Sequence, residues 1–288
     1  MLGQATGHLQ KGLTTPFQFS LNRLIIKNMP DPTPYELVDV VDENDDVLRQ
    51  TTKDAAFKNL PRHVAVIPDG NRRWARGRGL LALQGHREGR LRFREIREAV
   101  WRLGIPYFTF WAASEDNLSK RSRTEVKLLA LLMRQELRRV LAQKEFITKE
   151  LRIRVIGRWY DILKDKTLKG LAEQLEGASR SFTRHHLTIL FGYNGDREMI
   201  EAIEKIQKES RQPVDAALIR NALWTRDLPP VDLVIRTGGE PHWSAGFMMW
   251  HTQNAQLYFT DTLWPDFVEN ELTKALADYG RRPRRFGA

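Results

Sequence analysis

From His63 onward, short apolar runs alternate with longer amphipathic ones, and this alternation constrains the fold more than any other feature of the chain. The spacing predicts strands over 63–67, 107–113, 152–156, 187–193, 231–235 and 257–260. Between them it predicts helices over 85–103 and 124–146, and another running through Met199 and Ile203. In the first of these helices Leu91, Ile96, Val100 and Leu103 fall near one face. Strands separated by helices require crossover connections, so the expected class is α/β: a mainly parallel central sheet flanked by helices. Ligands of such sheets sit at the carboxyl ends of the strands. The residues that follow each strand therefore carry the functional information.

Residues 1–60 differ from the rest. Asp31, Pro32 and Pro34 break regular structure and an acidic run around 39–46 follows. They read as an N-terminal extension with one or two helices, leaving 61–288 as the main domain. Residues 17–26 mix bulky apolar and basic side chains. They suit an element packed on the domain, a mobile arm, or a peripheral contact with a membrane surface. The longest apolar stretches, such as 128–133, fall far short of the roughly 20 residues of a spanning helix. The first 18 residues lack the apolar core of a secretory signal. The chain has no cysteine, which excludes disulfides, Cys-ligated zinc and thiol nucleophiles and fits a reducing cytoplasm. Its formal charge of +10 points to anionic partners, whether phosphorylated small molecules, nucleic acid or a membrane surface, or else to a solvated basic face.

After the first strand comes Asp69-Gly70-Asn71-Arg72-Arg73-Trp74. Asp69 can hold Mg²⁺, a hard cation that takes carboxylate and phosphate oxygens. Gly70 and Asn71 permit a tight turn whose amides face phosphate oxygens, and Arg73 can clamp an oxyanion through two parallel hydrogen bonds. By itself the stretch is equally a turn flanked by surface arginines. Gly85-His86 opens the next expected helix, where the dipole would favour a neutral imidazole; a packing histidine is the plain alternative. Ser114-Glu115-Asp116-Asn117 follows the second strand and offers hydrogen bonds to a substrate or simply a helix cap. After the fifth strand, Arg236-Thr237-Gly238-Gly239-Glu240, with Ser244 in reach, could cradle a second phosphate. The C-terminal basic run 281–287 reads as a solvated tail or as a source of phosphate contacts.

Taken in order, these segments resemble the cis-prenyltransferases, the family of undecaprenyl diphosphate synthase. The resemblance rests on HVAVIPDGNRRWA (63–75), GH (85–86), SEDNLSKRSRTEV (114–126), PPVDLVIRTGGE (229–240), LYFTDTLWPDF (257–267) and RRFG (284–287). It implies that Asp69 binds Mg²⁺ and that Gly70, Asn71, Arg72, Arg73 and Trp74 hold an allylic prenyl diphosphate. It implies that His86 and Asn117 assist ionisation or proton removal. Arg236, His242 and Ser244 would bind the phosphate of isopentenyl diphosphate, Gln256 would stand at the metal, and Arg285 and Gly287 would reach the site from a neighbouring subunit. The resemblance further implies a homodimer, or a heteromer with a related subunit, and an apolar tunnel for the growing chain. Leu128, Leu131, Leu132 and Leu137 are tunnel candidates, or ordinary core.

The chain departs from the family pattern at four positions. Ala82, His242 and Gln256 stand where the family carries arginine, arginine and glutamate, and Leu118 replaces an aromatic. An insertion is expected within 243–246. Retention of Asp69, Asn71, Arg73, His86, Asn117 and Arg236 argues for an active enzyme, while the changes leave the second substrate open. Head-to-tail condensation with isopentenyl diphosphate leads; a second allylic diphosphate or an alcohol is the alternative acceptor. A non-catalytic partner subunit would be expected to lack Asp69. Binding to nucleic acid would leave the ordered motifs without a role.

Overall fold

The computed structural model describes residues 59–209 and 213–282. The expected N-terminal helices, the segment 17–26, Arg285 and Gly287 lie outside the described residues. The order begins with β1 (His63–Ile67), α1 (Asn71–Arg76), α2 (Ala82–Arg102), β2 (Tyr107–Ala113), α3 (Glu115–Lys120) and α4 (Arg123–Ala142). It continues with α5 (Glu145–Thr148), β3 (Leu151–Ile156), α6 (Trp159–Leu163), α7 (Lys166–Ser179), β4 (His185–Phe191) and α8 (Gly195–Glu209). It closes with α9 (Ala216–Ala222), β5 (Leu233–Arg236), α10 (Met249–Thr252), β6 (Gln256–Phe259) and α11 (Glu269–Arg281).

The six strands form one parallel sheet in the order β3-β4-β2-β1-β5-β6. Both faces are covered, which is why β1 reads as an unbroken apolar run after its histidine. Val64 and Val66 pack on one side with Phe93, Ile96 and Val100 of α2. Ala65 and Ile67 pack on the other with Trp111, Tyr193 and Phe247. From β1 the chain builds outward on one side through β2, β4 and β3, and later on the other through β5 and β6. The strand order thus reverses beside β1, and ligands of open α/β sheets bind in the crevice at such a point.

Each expected strand exists, shifted by at most two residues at either end. Three local expectations need correction. The buried face of α2 runs through Gly89, Phe93, Ile96 and Val100, whereas Leu91 lies well off that stripe and is 49% exposed. The predicted helix 124–146 is two helices, α4 and α5, because Lys144 takes a left-handed conformation (φ 49°). Residues 71–76, expected as a turn, form a helix.

Candidate active site

The loops after β1, β2 and β5 converge on a cavity of about 520 Å³. Asp69 anchors it. Its backbone N–H donates to Thr237 Oγ1 (2.9 Å), and that hydroxyl donates back to the Asp69 carbonyl (2.8 Å). The loops after β1 and β5 are therefore stitched together. Gly70 has φ 108°, and a Cβ there would stand 2.7 Å from Leu263, so only glycine fits. The Gly70 N–H donates to Asp69 Oδ1 (2.6 Å). Oδ2 faces Arg73 at 3.3 Å and Arg236 at 3.6 Å, and the side chain remains 39% exposed.

α1 places Arg72, Arg73 and Arg76 along the cavity. α2 packs so closely on this loop that a Cβ on Gly85 would lie 2.0 Å from the Asn71 carbonyl oxygen. This close approach explains the Gly-His pair. It also corrects the expectation for His86: α2 begins at Ala82, so His86 sits in its second turn rather than at its N-terminus. Its Nε2 lies 3.0 Å from Glu125 Oε1, which also accepts from Arg121 Nη1 (2.9 Å). Burial lowers the imidazole pKa below its ordinary value, more than Glu125 raises it. With Nε2–H donating to Glu125, Nδ1 is the acceptor of the neutral ring. Asn117 stands at the third position of α3 in a capping box with Ser114, not at the start of the longer helix, which Ser122 caps. That box engages the Asn117 amide oxygen and backbone N–H, leaving the NH₂ group as a donor at the cavity wall.

Arg236 is 5% exposed. Its Nη1 donates to the His242 carbonyl (2.8 Å) and to Ser244 Oγ (2.5 Å), while Nε is buried with no partner among the described residues. Burial lowers the pKa of this guanidinium, against the pull of Asp69 and Glu240. The expected insertion lies in a tight loop, with Ala245 (φ 44°), Gly246 (φ 59°) and Met248 (φ 46°) all left-handed. Gly195 N–H fixes it through the Ala245 carbonyl (2.9 Å), and this anchorage keeps Ser244 at Arg236. His242 stays on the rim, 3.0 Å from Ser244 Oγ and 3.6 Å from Glu240.

Two expected residues do not meet the others. Trp74 turns away from the cavity: its Nε1 donates to Asp266 (2.7 Å) and Arg78 stacks on its ring, so it ties α1 to the turn at 264–266. Gln256 opens β6, in register with Leu233 and hence with Val64, at the amino end of the sheet. Within one chain it lies away from Asp69, which follows the carboxyl end of β1. Sequence reasoning also missed residues. Arg76 and Arg121 line the cavity and Glu125 supports it. The i, i+4 spacing of Arg72 and Arg76 was the available signal, but it has meaning only if 71–76 is a helix.

A second, apolar cavity of about 90 Å³ adjoins the first, and Pro68, Asn71, His86 and Ala112 border both. Leu129, Leu132 and Met133 of α4 form part of its wall. Of the tunnel candidates, Leu132 lines it, Leu137 is fully buried core and Leu131 is 40% exposed. No group of three or more His, Asp or Glu side chains is placed to hold a metal among the described residues. A lone accessible Asp69 carboxylate still fits Mg²⁺, which takes one or two carboxylates and completes its shell with phosphate oxygens and water.

A cationic cavity opening onto an apolar one defines a site for a phosphorylated head with a hydrocarbon tail. Residues 67–287 match the family described as "Putative undecaprenyl diphosphate synthase", and the chain belongs to this cis-prenyltransferase family. It is a prenyltransferase. It is 39% identical to an isoprenyl transferase of Aquifex aeolicus, over 79% of this chain and 96% of that one. It is also 39% identical to dehydrodolichyl diphosphate synthase 3 of Arabidopsis thaliana, over 79% and 76%. Among solved structures it is similar to lavandulyl diphosphate synthase of Lavandula x intermedia bound to dimethylallyl diphosphate. That match has a TM-score of 0.73 and 33% identity, and covers 80% of this chain and 99% of that one.

Proposed function

We propose that this enzyme condenses an allylic prenyl diphosphate with isopentenyl diphosphate, forming a Z-polyprenyl diphosphate. One observation carries the reading: among the described residues, five arginines (72, 73, 76, 121 and 236) and two carboxylates, Asp69 and Glu240, line a cavity bordering an apolar pocket. In this reading the allylic diphosphate lies against Asn71, Arg72, Arg73 and the first amides of α1, with its tail in the apolar pocket. The allylic C–O bond breaks and negative charge builds on the departing diphosphate. The α1 arginines meet that charge where it develops, which is where electrostatic catalysis acts. C4 of the isopentenyl unit joins the allylic C1, and a proton leaves its C2. Arg236 and Ser244 hold the isopentenyl diphosphate. Neutral His86 and the Asn117 amide are the groups placed to assist departure or to take the proton. Asp69 would hold Mg²⁺, which when bound supplies a Lewis acid for the diphosphate oxygens. The apolar pocket keeps water from the cationic fragment. A homodimer is part of the proposal, and the half-exposed Leu257 and Phe259 on edge strand β6 offer an apolar surface for it.

A second reading, a second allylic diphosphate as acceptor, draws on His242, a weaker anion ligand than arginine, and on the likeness to lavandulyl diphosphate synthase. One assay separates the two. The protein is incubated with Mg²⁺ and a panel of allylic diphosphates, with and without isopentenyl diphosphate, and lipid products are identified by mass. The expected outcome is product only when isopentenyl diphosphate is present. Product formed without it would overturn the first reading in favour of the second.

A further inference from the structure

The loop that carries Ser244 is held by a buried network that the reaction itself does not use. Its turn is costly: Ala245 and Met248 are left-handed, a conformation that such residues keep only under constraint. The start of α8 supplies part of that constraint. Gly195 N–H donates to the Ala245 carbonyl (2.9 Å), and a Cβ on Gly195 would lie 1.8 Å from the Gly246 carbonyl oxygen. The rest converges on Glu198, which lies in the first turn of α8 and is 2% exposed. Its Oε2 accepts from the Tyr193 hydroxyl (2.5 Å), and its Oε1 accepts from the backbone N–H and the hydroxyl of Thr225 (2.8 Å each). Thr225 gives its single hydroxyl proton to Glu198, so its oxygen accepts from His251 Nε2 (2.9 Å). His251 lies in α10, at the far end of the same loop. The Tyr193 carbonyl accepts from Trp111 Nε1 (3.0 Å), and Trp111, part of the cavity wall, packs on Phe247 with ring centroids 5.0 Å apart.

We propose that Glu198 is a positioning residue for the acceptor diphosphate. It contacts no substrate. By gathering Tyr193, Thr225 and, through Thr225, His251, it fixes the Ser244 loop from both ends and keeps Ser244 Oγ at Arg236. A carboxylate here costs folding free energy. Burial raises its pKa, against the hydrogen bonds from Tyr193 and Thr225, and no lysine or arginine pairs with it among the described residues. What it offers is acceptor capacity: three donor hydrogens meet two oxygens, and a fully satisfied buried network fixes one arrangement of the elements it joins. The inference rests on the reading that places isopentenyl diphosphate at Arg236 and Ser244, and it adds that this subsite is tuned by a carboxylate behind it. The allylic half of the site, built on α1, lies outside the network, so the two substrates should respond differently.

The test is Glu198→Gln, which keeps the shape but turns one acceptor into a donor, so the three hydrogens can no longer all be met. With Mg²⁺, KM for isopentenyl diphosphate should rise about tenfold, equivalent to one hydrogen bond to a charged group, while KM for dimethylallyl diphosphate stays within about twofold. Equal rises in both constants, or an unchanged KM for isopentenyl diphosphate in the folded variant, would overturn the proposal. If the glutamine variant does not fold, Tyr193→Phe asks the same question. It removes one donor and keeps the ring, and should raise the same KM about threefold; no change would overturn the proposal. A crystal structure of the folded variant reads placement without turnover. Ser244 Oγ should leave hydrogen-bonding distance of Arg236 Nη1, and a loop that superposes on that of wild type would overturn the role of Glu198. A displaced Ser244 in a protein whose wild type makes no product from isopentenyl diphosphate would leave the positioning role standing and remove the reaction assigned to the site.

Discussion

The molecule carries two arginine clusters that differ in how their charge is met. At the carboxyl end of the sheet, Arg72, Arg73, Arg76, Arg121 and Arg236 face Asp69 and Glu240, and positive charge is in surplus. Between α2 and α4–α5, Arg94, Arg97, Arg139 and Lys149 meet Glu98, Glu136 and Glu145 nearly one for one. The first arrangement holds like charges together around a cavity open to solvent, where water or an anionic ligand can answer them. The second is internally neutralised, with Arg97, Glu136 and Glu145 buried and Arg94, Glu98 and Lys149 partly exposed. Charge surplus in a cavity therefore marks binding, whereas charge balance between packed helices marks structure.

The largest expected effect comes from Asp69→Ala. Turnover should fall by at least about 1,000-fold, because the variant loses the carboxylate that would hold the metal at the diphosphate. Unfolding free energy should change by about 1 kcal/mol or less, the scale of its hydrogen bond to Gly70. Kinetics with denaturant titration check both, and activity within a few-fold of wild type would remove Asp69 from the site.

Next, paired substitutions set the clusters against each other. Arg236→Ala should lower kcat/KM about 100- to 1,000-fold. Glu136→Ala should instead destabilise the fold by about 1–3 kcal/mol, since it removes the carboxylate that accepts from Arg94 and Arg139. Equal stability losses in the two variants would erase the distinction between surplus and balanced charge.

Acid should act first on buried histidines, and on the Glu98 and Glu136 carboxylates of the second cluster only at lower pH. His63 donates from Nδ1 to the Pro229 carbonyl (3.1 Å) and meets Thr109 through Nε2 (2.8 Å), and burial pushes its pKa down to about 4. His251 is likewise pushed down to about 4 by burial. Below pH 6.5 the unfolded chain takes up protons that the folded one refuses, so stability is full above pH 6.5 and declines as pH falls toward 4. Each histidine should remove up to about 3 kcal/mol over that window. Denaturant midpoints at pH 7, 5.5 and 4.5 measure it, and His63→Gln should flatten the slope.

The smallest effect is expected from His242→Arg on the cavity rim. A permanent charge and a bidentate fork replace a ring that offers one donor, so KM for isopentenyl diphosphate should fall about five- to tenfold, equivalent to about 1 kcal/mol. An unchanged KM would indicate that Arg236 and Ser244 already saturate the anion contacts.

Much of this site was legible because the motifs sit at strand ends, where the α/β pattern directs attention. Asp69, Asn71, Arg73, His86, Asn117, Arg236 and Ser244 all line or approach the one cavity. Trp74 misled because a tryptophan within a phosphate-suited loop looks like part of it; the helical turn of α1 rotates it toward Asp266. Gln256 misled because proximity in a motif says nothing about which end of the sheet a residue occupies. Arg121 was written in a basic run that any solvated helix could carry, and only the fold of α3 and α4 turns it inward against Glu125.

The sequence by itself determined the class of fold, the strand positions and the chemistry available at strand ends. Apolar periodicity and glycine placement are local properties, readable one segment at a time. Tertiary structure alone decided that Gly85 must be glycine because another backbone lies where its Cβ would be. It alone separated Arg236, aimed into a cavity, from Arg97, locked between carboxylates. An arginine's letter is the same in both places; the distant carboxylates, Glu145 for Arg97 and Asp69 for Arg236, are brought to them only by packing.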